Sequence, residues 1–454
     1  MMSIRGDGLP HWWWMAFVLL WVIGMIVGRK THNLASPPVL HRAVVWTVLG
    51  VAVAAVAYGA ISTPSRHWDG AASFDAKVFW LTQSPTLQQP FFATEGVFHH
   101  SPGYSLLQPL LIASIERALP GAGRLVLPMF YLLLCGLVAT TLRRHRTATW
   151  LVTATVLAVG LTPHLLSPIS GSVDSGHIEL LLLLATTTIA AGFLRGSGGL
   201  LAVGIVLAIA AKPEGQLYAA VATGIAFASG SGTLLLAAFL AVLVSFVIWL
   251  PVQAELLHNS SPVGTVMVLG VAAATAVLVM LVDAWVRRRA QPHVWRWGLV
   301  VGAPIVVLMC LPLLASWLPA ERGAFAAYFR QADEVWRNLG NLPAYFVAFL
   351  DVGIVKLRIG LALVLPIAIA LLAWRRRVRL NDRALMAWVV LGLSMTATPF
   401  LLSPEADLQQ HLRWSLPRLL LHWVGPLWLL TACWLDTVLA PRISPCDQPV
   451  ARSS

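Results

Sequence analysis

Charge is scarce in this chain. Of its 454 residues only 11% are Asp, Glu, Lys or Arg, against 58% hydrophobic and a mean hydropathy of +0.77, which is too little charge to keep the surface of a soluble domain in water. Long polar stretches are also lacking, so no separate soluble domain is expected. Cysteine is nearly absent, and Cys135, Cys310 and Cys433 all fall inside apolar runs, which excludes a disulfide framework. Acids are outnumbered, 19 Asp and Glu to 31 Lys and Arg, for a formal charge of +12. The arginines sit in short loops without interleaved aromatics, so this basicity does not describe a nucleic-acid surface. No internal repeat is visible, which argues against the inverted-repeat architecture of many transporters.

What remains is hydrocarbon-compatible sequence. Apolar runs able to cross a ~30 Å core recur at residues 12–28, 42–62, 124–142, 148–166, 175–194, 199–212, 214–229, 232–252, 262–286, 297–318, 358–374, 385–403 and 415–440. The expected fold is an all-α polytopic membrane protein of about 13 transmembrane helices, with one integral domain over residues 1–454. The first run is followed by Gly28-Arg29-Lys30 rather than by a small-residue cleavage site, and is read as a retained span with Trp12, Trp13 and Trp14 as its interfacial belt. Alternating sides along these spans places Arg29-Lys30, Arg143-Arg144-His145-Arg146, Arg287-Arg288-Arg289 and the Arg375–Arg379 cluster together. By the positive-inside rule that side is cytoplasmic. The opposite, outer side then holds a first long loop at 63–123 and a second at 319–357, while 441–454 forms a cytoplasmic tail. The apolar segment from Tyr104 to Leu119 has only 16 residues and contains Pro109. A helix of that length reaches about 24 Å, so it is expected to lie along the outer surface.

The polar residues worth attention cluster on the outer side. If a helix starts at Trp68, Asp69, Ser73 and Lys77 share a face, with Asp75 on a neighbouring stripe. A solvated amphipathic connector explains that pattern as readily as a reactive site does. Asp69 is the stronger candidate acid, because flanking Trp68 would leave its carboxylate only partly solvated and suited to act as a general base. His99 and His100 precede Ser-Pro-Gly-Tyr104, and a polar turn accounts for them better than metal ligation does. Asp174 and Glu179 open a long apolar helix, where an N-cap and a first-turn acid suffice as explanation. Asp174 is also placed to join Asp69 in holding a cation against a phosphate. Lys212-Pro213-Glu214-Gly215 interrupts an apolar stretch. Either a local ion pair or a functional group must justify those charges near hydrocarbon. His411, Ser415, Arg418 and His422 follow offsets of 0, 4, 7 and 11, one helical stripe suited to an anionic group.

In this order the clusters resemble the GT-C fold membrane glycosyltransferases, the superfamily of protein O-mannosyltransferase-like and aminoarabinose-transferase-like enzymes. Trp68-Asp69 through Lys77 is similar to that family's first-loop segment, and His100-Ser-Pro-Gly-Tyr104 through Pro109 to the segment closing the loop. Asp174 corresponds to the acid of the second outer loop, Lys212-Pro-Glu214-Gly215 to a Lys-x-Glu-Gly element, and Asp407 to Arg418 to a C-terminal pattern ending in Ser-x-x-Arg. Two features depart from the family: two spans precede the first loop, and Pro102-Gly103 disturbs the usual aromatic-proline order.

The resemblance implies transfer of a sugar from a polyprenyl-phosphate donor to an acceptor hydroxyl, with inversion, at the outer face of what would be a bacterial inner membrane. Asp69 would be the catalytic base. Asp75, Lys77, His100, Tyr104, Asp174, Lys212, Glu214, His411, Arg418 and His422 would contact substrate. A metal requirement stays open, with Asp69 and Asp174 the candidates to hold a divalent cation such as Mg or Mn. The partners implied are the lipid-linked donor, the bilayer and an acceptor that is a glycan, lipid or protein, with no nucleic acid. Two other readings compete: a transporter or flippase for a glycolipid or anionic substrate, because intramembrane ionisable residues also mark transport paths, and a non-catalytic assembly protein on the same scaffold.

Overall fold

The computed structural model describes residues 39–62, 70–84, 106–166, 178–212, 214–256, 286, 294–299, 338–356, 358–375, 382–401 and 408–439. Among these residues every regular element is helical. The helices are α1 (Val39–Ser62), α2 (Ala76–Gln83), α3 (Leu107–Ala118), α4 (Val126–Arg144), α5 (Thr149–Gly160), α6 (Pro163–Leu166), α7 (Glu179–Arg195) and α8 (Gly198–Ala211). They continue as α9 (Glu214–Ala228), α10 (Gly232–Leu256), α11 (Leu342–Leu350), α12 (Val364–Arg375), α13 (Arg383–Met395), α14 (Thr398–Leu401), α15 (Leu408–Leu421) and α16 (Val424–Leu439). A π-helical turn, Gly70–Asp75, leads into α2, and 3-10 turns lead into α4 and α12.

The organising element is α7. Its sequence is apolar on every side, and residues Glu179 through Phe193 are all buried, which is how such a helix must sit in a bundle. Around it pack α4, α8, α9, α13, α15 and α16. The α7–α8 pair is the tightest, because small residues let the backbones approach. A Cβ on Gly204 would stand 2.6 Å from Ile189 Cγ1, and one on Gly192 would stand 2.7 Å from the Leu201 amide. Outer faces of the bundle are apolar as well. Met129, Leu132 and Leu133 of α4 and Leu236, Leu240 and Val247 of α10 are exposed, a surface matched to hydrocarbon rather than water.

Among the described residues the expected spans are only partly matched by length, and the expected span at 12–28 and nearly all of those at 262–286 and 297–318 lie outside the described residues. Gly123–Arg144 and Arg383–Leu401 are long and apolar enough to cross a membrane alone, and α15 with α16 makes a third span if that pair, bent by 49°, counts as one. Of the other described apolar helices, α5 has 12 residues and α8 has 14. At about 1.5 Å per residue these fall short of the hydrocarbon thickness. The region read as one span at 148–166 breaks after Gly160 into α5 and α6. The region read as 415–440 begins earlier, at Leu408, and breaks after Leu421.

That last break follows from Pro426. Proline has no N–H, so the carbonyl four residues earlier, that of His422, loses its helical donor. Thr186 of α7 supplies the missing donor through its hydroxyl. The helix resumes with the Leu427 amide bonding the Trp423 carbonyl at 2.9 Å.

Candidate functional site

The start of α7, the end of α8, the start of α9 and the last turn of α15 meet at one end of the bundle. Glu179, fully buried in the first turn of α7, is the centre of that junction. Its Oε1 accepts from Arg418 Nη2 at 2.8 Å, from Arg418 Nε at 2.9 Å and from Lys212 Nζ at 3.3 Å. Lys212 Nζ also lies 3.4 Å from Glu214 Oε1. Among the described residues two cations and two carboxylates form this cluster, with Arg418 and Glu214 its more open members at 13% and 21% side-chain exposure. Buried ions are stable only when so paired, because each would otherwise lose several kcal/mol of hydration. The α7 N-terminus adds favourable dipole potential at Glu179.

Local sequence explains the placement of the lysine. Lys212 is the extended residue that ends α8, and its carbonyl receives the Gly215 amide at 2.9 Å. Gly215 packs onto the Ala208 carbonyl with no room for a Cβ. Only glycine permits that approach, which folds the start of α9 against α8 and sets Lys212 between Glu179 and Glu214.

His422 lies in the turn between α15 and α16, fully buried. Its Nδ1 is 3.2 Å from the Tyr218 hydroxyl. It is within electrostatic reach of Lys212, Glu179, Arg418 and His164. Tyr218, Trp388 and Trp423 wall the site, with ring centroids 5.2 Å apart for Tyr218–Trp423 and 5.0 Å for Trp388–Trp423. Trp388 Nε1 bonds the Thr186 carbonyl at 3.1 Å, tying this wall to the residue that caps His422.

The predicted residues divide into three groups. Lys212, Glu214, Arg418 and His422 converge, although the stripe expected from His411 to His422 is not one helix, since Pro426 ends it before His422. The local pair Lys212–Glu214 exists, yet Glu179, read from sequence as a first-turn acid, is the residue both cations share. His411 stays on α15 but packs at a 60° tilt against Phe400, ring centroids 4.9 Å apart, about 10 Å further along the helix from Arg418. Asp75 is half-buried and Lys77 fully buried at the junction of the π turn and α2. A solvated connector therefore does not describe Lys77. Burial pulls its ammonium from 10.5 down to about 7, since a dry site disfavours the charged form. Asp69, His100, Tyr104 and Asp174 lie outside the described residues. Of those described, no group of three or more His, Cys, Asp or Glu side chains is arranged to hold a metal ion.

Glu179, Tyr218, Trp388, Trp423 and Thr186 were missed as site residues. Tyr218 stands one helical turn after Glu214 and Glu179 opens an apolar helix, which are the only sequence signals for them. No family model, curated protein or solved structure matches the chain.

The opposite end of the bundle has a different character. There the α4–α5 turn, the ends of α7 and α16 and the start of α13 come together. The Ala148 amide donates to Asp436 Oδ1 at 3.2 Å, and His145 Nδ1 lies 4.0 Å from Cys433 Sγ. Arg143, Arg144 and Arg146 are exposed at this end.

Proposed function

We propose that the chain is a membrane glycosyltransferase of GT-C-like architecture, with about 13 spans, acting on a polyprenyl-phosphate-linked sugar at the outer face of a bacterial inner membrane. The observation that carries this reading is the pair Lys212 and Arg418 fixed on one buried carboxylate, at the end of the bundle opposite the exposed arginines. With the arginine end cytoplasmic, the cluster faces the outer leaflet.

In the proposed reaction an acceptor hydroxyl attacks the anomeric carbon of the donor. Asp69 takes the hydroxyl proton as the new C–O bond forms and the bond to the lipid phosphate breaks. The departing phosphate carries away the electron pair and meets Lys212 and Arg418, pre-oriented by Glu179. Direct displacement inverts the anomeric configuration. Asp174 orients the donor or, with Asp69, holds a divalent cation. Lys77, pulled toward neutrality by burial, suits a hydrogen-bonding role in the first loop, and Tyr104, His100 and Asp75 complete that wall. His411 contacts the acceptor side of the site along α15.

A transporter or flippase is the second reading, and one observation favours it: α15 and α16 form a broken helix with ionisable side chains at the break, a feature of transport sites. Proteoliposomes loaded with a radiolabelled polyprenyl-phosphate sugar and a set of hydroxyl acceptors separate the two. Release of labelled sugar or its capture on an acceptor supports the transferase. Movement of intact donor across the bilayer without cleavage supports transport and sinks the transferase reading.

A further inference from the structure

The end of the bundle away from the ion cluster carries a separate feature that the transferase reading does not use. Helices α4 and α7 pack side by side, and each ends in arginine: Arg143 and Arg144 in the last turn of α4, Arg195 in that of α7. A single arginine in a last turn needs no more explanation than the negative pole of its own helix. Here the two come from adjacent helices and the charge of Arg144 bears directly on that of Arg195. Among the described residues no carboxylate forms an ion pair with either one.

The acids described at this end bear on other groups. Asp436 accepts the Ala148 amide, and Asp382, at the start of α13, is within electrostatic reach of His145 and Cys433. Arg383 and Arg375 add further exposed positive charge, and Arg146, in the left-handed region at φ 63°, turns the chain so that Arg143 through Arg146 all stay exposed. Trp150 in the first turn of α5 and Trp374 in the last turn of α12 are 52% and 77% exposed at this end. Exposed tryptophan beside arginine at the end of apolar helices is the chemistry of the headgroup layer, where the indole sits among glycerol and carbonyl groups and the guanidinium meets phosphate.

We propose that this end is a binding surface for anionic phospholipid headgroups, with Arg144 and Arg195 closing on one lipid phosphate from the last turns of α4 and α7. Two forked donors on rigid helices suit a phosphate oxygen face better than one flexible lysine would. The tryptophans fix the depth at which that phosphate is met. The surface is independent of whether the ion cluster at the other end performs transfer or transport.

The full chain reconstituted in nanodiscs of phosphatidylcholine, alone or with phosphatidylglycerol added, tests this. Native mass spectrometry is expected to show phosphatidylglycerol retained on the released protein, and the melting temperature is expected to rise with phosphatidylglycerol and to lose that rise in high salt. The double variant Arg144→Gln with Arg195→Gln should lose both effects while melting as the parent does in phosphatidylcholine alone. Arg117→Gln, an exposed arginine on α3, should keep both. Equal retention by the double variant and the parent overturns the proposal. So does inorganic phosphate reproducing the stabilisation in phosphatidylcholine, because the site would then serve a soluble anion.

Discussion

Glu179 and Arg418 stand 239 positions apart in sequence and meet through two guanidinium nitrogens on a single carboxylate oxygen. That oxygen also receives Lys212, so one buried acid sets the positions of both cations. Its removal should be costly. Glu179→Ala removes the carboxylate that both cations share and is expected to destabilise by about 3–5 kcal/mol. Glu179→Gln keeps an acceptor for the arginine fork and should cost less. Detergent-resistant melting followed by circular dichroism would rank the two variants. Parent-like melting of the alanine variant would show that Glu179 does not organise the cluster.

Arg418→Lys preserves charge and removes the fork. Lysine would reach Glu179 through one donor and could not present a second planar donor to phosphate. If the proposed transfer is correct, turnover should fall by roughly 10²-fold, with a smaller change in the KM for donor. Unchanged turnover would mean that charge alone suffices at this position.

Asp69→Asn removes the proposed base without altering size. Loss of a general base typically lowers rate by about 10²–10⁴-fold. Expression and melting should be retained, as should binding of the lipid-linked donor measured by retention on immobilised protein. Retained turnover would reassign the base, with Asp75 next in line.

Lys77 gives a pH signature. Its folded pKa of about 7 lies below the ordinary 10.5, so above pH 7 the folded state sheds a proton that the unfolded state still holds. The burial penalty is complete below pH 7 and is relieved as pH rises toward 10.5, by at most about 1.4 kcal/mol per pH unit. Hydrogen exchange of the α2 segment should therefore slow as pH rises through this window, after correction for the intrinsic rate. Lys77→Met should abolish that trend and slow exchange at pH 6.

Gly215→Val would drive a side chain into the Ala208 carbonyl. The expected cost is about 1–3 kcal/mol, together with displacement of Lys212 from Glu179. A cross-linking or spin-label distance between α8 and α9 that widens in the variant would report the displacement. Melting equal to the parent would show that the α8–α9 junction has slack.

The all-helical class, the apolar character of the helices and the grouping of Arg143–Arg146 away from Lys212 were legible in the chain, because hydrophobic run length and loop charge are local properties. So were Lys212, Glu214, Arg418 and His422 as residues too polar for their surroundings. Only the tertiary structure made Glu179 the common partner of Lys212 and Arg418, since an acid in the first turn of a helix is locally explained by its own dipole and gives no sign of what will pack over it. The break at His422 was half-visible in Pro426, which removes a donor wherever it falls. That Thr186 would replace that donor, and that Tyr218, Trp388 and Trp423 would close around the histidine, depended on contacts between helices far apart in sequence, and long-range packing of that kind leaves no periodicity to read.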